Sequence, residues 1–217
     1  MKYKAVIFDL DGTLVDTLRD LAESVNQALE KLSLPTHPVD SFRLRVGNGM
    51  RWMVSRSLDS EHQHLLDKAL ALQTAYYEKH ICDHSKPYGG IEDMLSTLQA
   101  KGLKLTVLSN KPDLNTQQLM NHCFSAVFFD TVLGNRPDWP LKPDPTVAIM
   151  IARQLNLPPA EIAFLGDSAM DMQTAVAAEM YPIGATWGFR DRHELLENGA
   201  QALINHPSEI LPLLNVQ

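Results

Sequence analysis

The run Ala5-Val6-Ile7-Phe8 is apolar without a break and ends directly on Asp9-Leu10-Asp11-Gly12. An unbroken run of this kind suits a strand covered on both faces, the situation of a parallel sheet enclosed by helices. Further strand-like runs at 103–108, 126–133, 162–166, 181–186 and 201–205 alternate with helix-period segments. That alternation predicts an α/β fold with a doubly wound parallel sheet. In such sheets ligands collect beyond the carboxyl ends of the strands, where Asp9 and Asp11 fall. Two residues apart in extended chain, they point the same way, and Gly12 permits a sharp turn behind them. A strand-to-loop turn of the Asx type would also account for the pair without any function.

Between residues 16 and 82 the alternation gives way to helices alone. Leu18, Leu21, Ala22, Val25, Leu29 and Leu32 repeat at three and four, and Pro35 and Pro38 end that helix. Trp52, Met53, Leu58, Leu65, Leu66, Leu70, Leu72, Tyr76 and Tyr77 can form the core of two or three more, with Asp83-His84-Ser85-Lys86-Pro87 as the return linker. The expected organisation is a Rossmann-like core of residues 1–15 and 83–217 interrupted by a helical cap of residues 16–82.

Composition narrows the partners. Among 217 residues, 45% hydrophobic, no run approaches the roughly 18 apolar residues of a membrane span. The amino terminus enters its first strand too soon for a signal peptide, so a cytoplasmic location is expected. Cys82 and Cys123 are too few for a disulfide framework or a zinc site. A formal charge of −7 with scattered Lys and Arg argues against nucleic acid or an anionic membrane. A monomer or homodimer acting on a small molecule is expected.

Three more segments sit at or near strand ends. Ser109-Asn110-Lys111 closes an apolar run and precedes Pro112-Asp113, which reads as a helix start offering hydroxyl, amide and backbone donors to an anion. Lys142 precedes the rigid turn Pro143-Asp144-Pro145. Gly166-Asp167-Ser168-Ala169-Met170-Asp171 repeats the pattern of strand, glycine and helix, with Asp167 and Asp171 four apart on one predicted helix face. Taken singly, each has an ordinary structural explanation as a cap, a solvated lysine or helix-start acids. Together they supply acidic groups for a divalent metal and cationic and neutral donors for a phosphate, as phosphoryl transfer requires.

In order and spacing, Asp9-Leu10-Asp11-Gly12-Thr13, Ser109-Asn110, Lys142 and Gly166-Asp167-Ser168-Ala169-Met170-Asp171 resemble the four motifs of the haloacid dehalogenase superfamily of phosphohydrolases. Leu14-Val15-Asp16-Thr17, Asp20-Leu21-Ala22 and Val46-Gly47-Asn48-Gly49 resemble the phosphoglycolate phosphatase group, over nearly the whole chain. Departures exist: Glu179 stands where such sequences usually have glycine, Gly89 replaces a common proline, and Gly134-Asn135-Arg136 lacks an acidic pair. The residues and the resemblance jointly imply Asp9 as nucleophile, Asp11 as acid and base, and Lys142 as the balancing cation. They imply Mg²⁺ held by Asp9, the Asp11 backbone carbonyl and Asp167, with Asp171 orienting the metal's surroundings, and phosphoryl oxygens held by Ser109 and Asn110.

The helical lobe would then act as a lid. Its Val46-Gly47-Asn48-Gly49 turn is flanked by Arg43, Arg45 and Arg51, and Arg45, Gly47, Asn48 and Arg51 are its candidate substrate contacts. A plain helix-to-helix turn with solvated arginines explains the same residues. A phosphomonoester hydrolase acting on a small phosphorylated metabolite, 2-phosphoglycolate first, is the function implied. A phosphosugar mutase and a nucleoside monophosphate or pyrophosphate phosphatase stay open. A non-enzymatic phospho-ligand sensor fits poorly with candidates for every catalytic role, and a dehalogenase needs neither Asp11 nor Asp167.

Overall fold

The computed structural model describes residues 2–215. Strand β1 (Ala5–Phe8) is fully buried and sends alternate side chains to opposite layers. Ala5 and Ile7 join the cluster containing Val147, Ala148 and Ile151, whereas Val6 and Phe8 join the one containing Ile91, Leu95 and Leu98. This two-sided burial is what the uninterrupted apolar run requires.

A short strand β2 (Val15–Asp16) follows, and its partner β3 (Lys86–Pro87) pairs with it antiparallel. The remaining strands are β4 (Lys104–Pro112), β5 (Thr131–Asn135), β6 (Ile162–Gly166), β7 (Tyr181–Ala185) and β8 (Ala202–Ile204). Six strands form one parallel sheet in the order β5-β4-β1-β6-β7-β8, so β1 lies between β4 and β6. The chain order reverses on either side of β1, which makes its carboxyl end the crevice of the sheet. The doubly wound parallel architecture is therefore as the alternation predicted.

Two strand boundaries differ from the sequence reading. Strand β4 continues through Ser109, Asn110 and Lys111 to Pro112, with its register shifting after Leu108, and the following helix begins only at Asp113. Ser109 is thus a strand residue, not a helix cap. Strand β5 begins at Thr131, later than its apolar run, because Val127 and Phe129 pack against the core from a loop and Asp130 returns the chain to Leu105.

Between β2 and β3 the chain is helical: α1 (Leu18–Lys31), α2 (Met50–Ser55) and α3 (Leu66–His80), with short 3₁₀ turns at Val39–Leu44 and Ser60–Leu65. Leu18, Leu21, Ala22, Val25 and Leu29 form the buried stripe of α1. Gln73 on α3 donates to Ser24 on α1 at 3.0 Å, both buried. Asp20, also buried, accepts hydrogen bonds from the His84 and Ser85 N–H groups and the Ser85 hydroxyl, at 2.6–3.1 Å. It thereby ties the outgoing helix to the returning segment beside the β2–β3 pair. Among the described residues, no helix is long and apolar enough to cross a membrane.

The other helices, α4 (Ile91–Ala100), α5 (Asp113–Cys123), α6 (Thr146–Leu155), α7 (Ala169–Ala177), α8 (Arg192–Glu197) and α9 (Ile210–Leu213), accompany the main sheet. Helix α7 ends with Glu179 in the left-handed region at φ 58°. An L side chain there is strained by roughly 1–2 kcal/mol, a cost glycine avoids. Because the Glu179 side chain is exposed, Glu179→Gly should stabilise the protein by about 0.5–1 kcal/mol after the greater chain entropy of glycine is counted. Thermal denaturation should show a small rise in melting temperature, and a fall would contradict this account of the turn.

Candidate active site

The ends of β1, β4 and β6 and the loop carrying Lys142 converge at one edge of the sheet. Asp9 is fixed there by its own N–H, which donates to the Leu165 carbonyl of β6 at 2.9 Å. Lys142 Nζ donates to Asp9 Oδ1 at 2.7 Å and to Asp171 Oδ1 at 2.6 Å. The Lys142 loop is held by Asn110, whose side-chain oxygen accepts the Lys142 N–H at 2.8 Å while its Nδ2 donates to the Lys142 carbonyl at 3.1 Å. Asp167 accepts from the Thr13 hydroxyl at 3.0 Å and from the Phe189 N–H at 2.7 Å.

Glycines make this convergence possible. A β-carbon on Gly12 or Gly188 would run into the Asp167 carboxylate, and one on Gly166 into Asp171. Gly12 also has φ +90°, a conformation that L side chains rarely adopt. Asp167 precedes α7 and Asp171 lies in its first turn, so the two meet through the turn at Ser168 and not along one helix face. Asp171 Oδ2 accepts the Ser168 N–H at 3.0 Å, closing a capping box.

Oxygens of Asp9, Asp167 and Asp171 lie within 4.8 Å of one another, and all three residues are buried. Burial raises the Asp9 carboxyl well above the ordinary range, with Lys142 opposing and Asp171 and Asp167 adding to the rise. Burial, then the neighbouring Asp171, pushes Asp167 up to about 7, against the bonds from Phe189 and Thr13. Burial acts to lower the Lys142 ammonium, but Asp171 and Asp9 outweigh it and hold it above its usual value. Three carboxylates facing one ammonium leave an excess of negative charge, and an all-oxygen donor set of this kind fits a hard divalent cation. The set read from the sequence and this cluster share Asp9 and Asp167; the third carboxylate brought to the cluster is Asp171.

Asp11 turns elsewhere. Its oxygens accept Lys111 Nζ at 2.8 and 3.1 Å, and Oδ1 accepts the Thr17 hydroxyl at 2.7 Å. Lys111 is buried, with its ammonium 4.9 Å from the centroid of the Tyr77 ring on α3. Lys111 was not among the site residues read from the sequence. The signal available was adjacency: Lys111 continues the same buried run as Ser109 and Asn110. Reading Ser109 as a helix cap hid that relation. Asn110 also lines the cavity, and its side chain bonds Lys142 and Gly47, whose carbonyl accepts Nδ2 at 2.8 Å.

Asp9, Asp11, Ser109, Lys111 and Lys142 line a cavity of about 30 Å³, roofed by Gly47, Gly49, Met50 and Met53 from the helical segment. Arg190 donates to the Val46 carbonyl at 2.8 Å and Arg43 to the Gly188 carbonyl at 3.0 Å, fastening that roof to the sheet side. A wider groove of about 760 Å³, lined in part by Asn48 and Arg51, shares Gly49, Met50 and Asn110 with the cavity. Neither Arg45 nor Arg51 lines the cavity itself. Arg45 donates to Ser41 and to the Arg56 carbonyl and lies over the Phe42 ring. Arg51 pairs with Asp67 at the exposed surface.

A sequence profile of the haloacid dehalogenase-like hydrolases matches residues 6–185. The phosphoglycolate phosphatase of Pseudomonas syringae pv. tomato is 32% identical over an alignment of 216 positions that covers 96% of this chain and 79% of that protein. The phosphoglycolate phosphatase of Haemophilus influenzae strain 86-028NP is 30% identical, covering 98% and 99%. A crystal structure from Lactobacillus delbrueckii subsp. bulgaricus superposes with a TM-score of 0.92 at 30% identity, covering 99% of both chains.

The raised Asp167 carboxyl would give a divalent cation bound at this cluster a signature in stability. The folded chain binds this proton up to about pH 7, against the ordinary carboxyl value of 3.8. Between those values the folded state holds more protons than the unfolded one, so with metal absent its stability falls as pH rises through that window. A divalent cation that replaces the proton should offset the fall. Melting curves at pH 5 and pH 8, with chelator and with divalent metal, should show a larger metal-induced rise at pH 8; an equal rise at both would contradict the site.

Proposed function

The chain belongs to the haloacid dehalogenase-like hydrolases and is a phosphatase, and from that premise we propose that it hydrolyses 2-phosphoglycolate through a phosphoaspartate at Asp9. One observation carries the chemical reading: two carboxylates, Asp9 and Asp11, line the same cavity, and each is held by its own lysine. Asp9, held by Lys142, attacks the phosphorus in line, and the ester bond to the leaving oxygen breaks. Asp11 protonates that oxygen, then takes a proton from the water that attacks the phosphoaspartate and frees Asp9 and inorganic phosphate. Lys142 lessens the repulsion between the Asp9 carboxylate and the phosphoryl oxygens. Ser109 lines the cavity beside them and presents a hydroxyl to the phosphoryl group.

The metal proposed is Mg²⁺, held by Asp9 and Asp167 with Asp171 against them; when bound it offsets charge on the phosphoryl oxygens. Helices of the segment from residue 16 to 82 act as the cap, excluding bulk water while the phosphoaspartate exists. The substrate assignment is supported by the names of the relatives above and by the cavity, whose 30 Å³ holds the centres of only a few water-sized groups. A compact leaving group suits that space, and the groove beside it is the proposed way in.

Asp9→Asn should abolish turnover with the fold intact, since an amide cannot form the acyl phosphate; appreciable activity would sink the covalent mechanism. Asp11→Asn should cost about 10²–10⁴ in kcat/KM for alkyl phosphates. Chelator should silence the enzyme and Mg²⁺ restore it, whereas Ca²⁺, which accepts looser and higher coordination, should inhibit. In a panel of phosphate monoesters ranked by kcat/KM, 2-phosphoglycolate should stand above sugar phosphates and nucleoside monophosphates; the reverse order would overturn the substrate.

A further inference from the structure

The cavity is lined by two ammonium groups, and the mechanism uses only one of them. Lys142 serves Asp9 and Asp171. Lys111 stands at the other wall, its side chain 1% exposed, with Nζ 2.8 Å from Asp11 Oδ1. We infer that Lys111 is a specificity-determining residue whose ammonium binds a carboxylate on the carbon next to the ester oxygen of the substrate. The inference rests on the reading of the chain as a phosphatase acting through Asp9 and Asp11, and it names the contact that selects the leaving group.

Covalent geometry links the two contacts. In a phosphorylated 2-hydroxy acid the ester oxygen, one carbon and the carboxyl carbon are consecutive, which puts a carboxylate oxygen about 3 Å from the ester oxygen by ordinary bond lengths. A group that protonates the ester oxygen and a group that binds the carboxylate must therefore be neighbours. Lys111 and Asp11 are such neighbours. An ammonium has three donors, and the bonds to Asp11 occupy two of them. Leu21, Val46, Met50 and Met53 line the same cavity and offer a carboxylate nothing in return for its lost water, so a cation must supply it.

Other cations are committed elsewhere. Arg45 and Arg51 lie off the cavity, Arg43 donates to the Gly188 carbonyl, and Arg190 donates to Val46 and pairs with Glu194. Among the described residues, Lys111 and Lys142 are the basic side chains lining the cavity. The strand explains why: the ladder of β4 is irregular between the pairs Leu108–Leu133 and Pro112–Asn135, and Ser109, Asn110 and Lys111, which lie in that interval, all line the cavity.

The test compares kcat/KM for 2-phosphoglycolate and ethyl phosphate, its analogue without the carboxylate, in the parent enzyme, Lys111→Met and Lys111→Gln. The parent should prefer 2-phosphoglycolate, and both variants should lose about ten- to a hundredfold of that preference, the usual worth of a charge-assisted contact. Lys111→Gln keeps a hydrogen bond to Asp11 without the charge and decides the matter if the methionine variant fails to fold, which loss of ethyl phosphate turnover together with loss of a cooperative melt would reveal. A preference unchanged in the variants overturns the role of Lys111 and leaves the substrate reading standing. Equal losses on both esters also overturn it, making Lys111 a positioning residue for Asp11. A parent enzyme with no preference overturns both Lys111 and 2-phosphoglycolate, leaving the phosphatase.

Discussion

Lys142 sits between Asp9 and Asp171, and the site is built around that contact. Two buried carboxylates facing each other without it would each carry an uncompensated charge, a cost of several kcal/mol per ion. The ammonium can hold them only because its backbone is held first: Asn110 grips both the N–H and the carbonyl of Lys142. Asn110 in turn lies where the β4 ladder is irregular, between its pairs Leu108–Leu133 and Pro112–Asn135. Thr13 and Phe189 then fix Asp167, and Gly12, Gly166 and Gly188 leave room for the carboxylates to approach backbone from three directions. The result is a negatively charged pocket that is complete as packing and incomplete as electrostatics, which is why a divalent cation fits it.

The roof is coupled to this arrangement through the same residue. The Asn110 amide that grips the Lys142 loop also donates to Gly47, so the Val46-Gly47-Asn48-Gly49 turn and Lys142 share one anchor. Arg190 and Arg43 add reciprocal bonds across the gap, each from a side chain on one part to a backbone carbonyl on the other. Such polar clasps are few and exchangeable with water, unlike the apolar packing that joins α1 to α3. At the base of the helical segment, by contrast, Asp20 and the β2–β3 pair hold the two connecting strands together. Firm hinges and light clasps are what a segment needs if it is to lift and return in register.

Two lysines divide the cavity between them. Lys142 belongs to the end where Asp9 stands and Lys111 to the end where Asp11 stands. Each is buried and each is paired with a carboxylate, so neither is a spectator of the surface. Opposed pairs of this sort keep both carboxylates oriented and give the two ends of one small pocket different charged partners.

Much of this was legible in the sequence, because strands buried on both faces and turns rich in glycine leave strong local marks. The apolar run before Asp9, the alternation after Tyr88 and the glycine before Asp167 depend on burial and backbone freedom, which act within a few residues. Asp9, Lys142 and Asp167 followed from those marks together with the recurrence of polar groups at strand ends. What only the tertiary structure decided was direction. Which partners the Asn110 amide bonds, whether Arg45 and Arg51 turn inward or to Ser41 and Asp67, and which cation meets the Asp11 carboxylate are choices among partners, most of them distant in sequence, with similar chemistry. Local propensity cannot rank such partners, since the energy that separates them comes from burial and hydrogen bonds that exist only once the strands have been laid side by side.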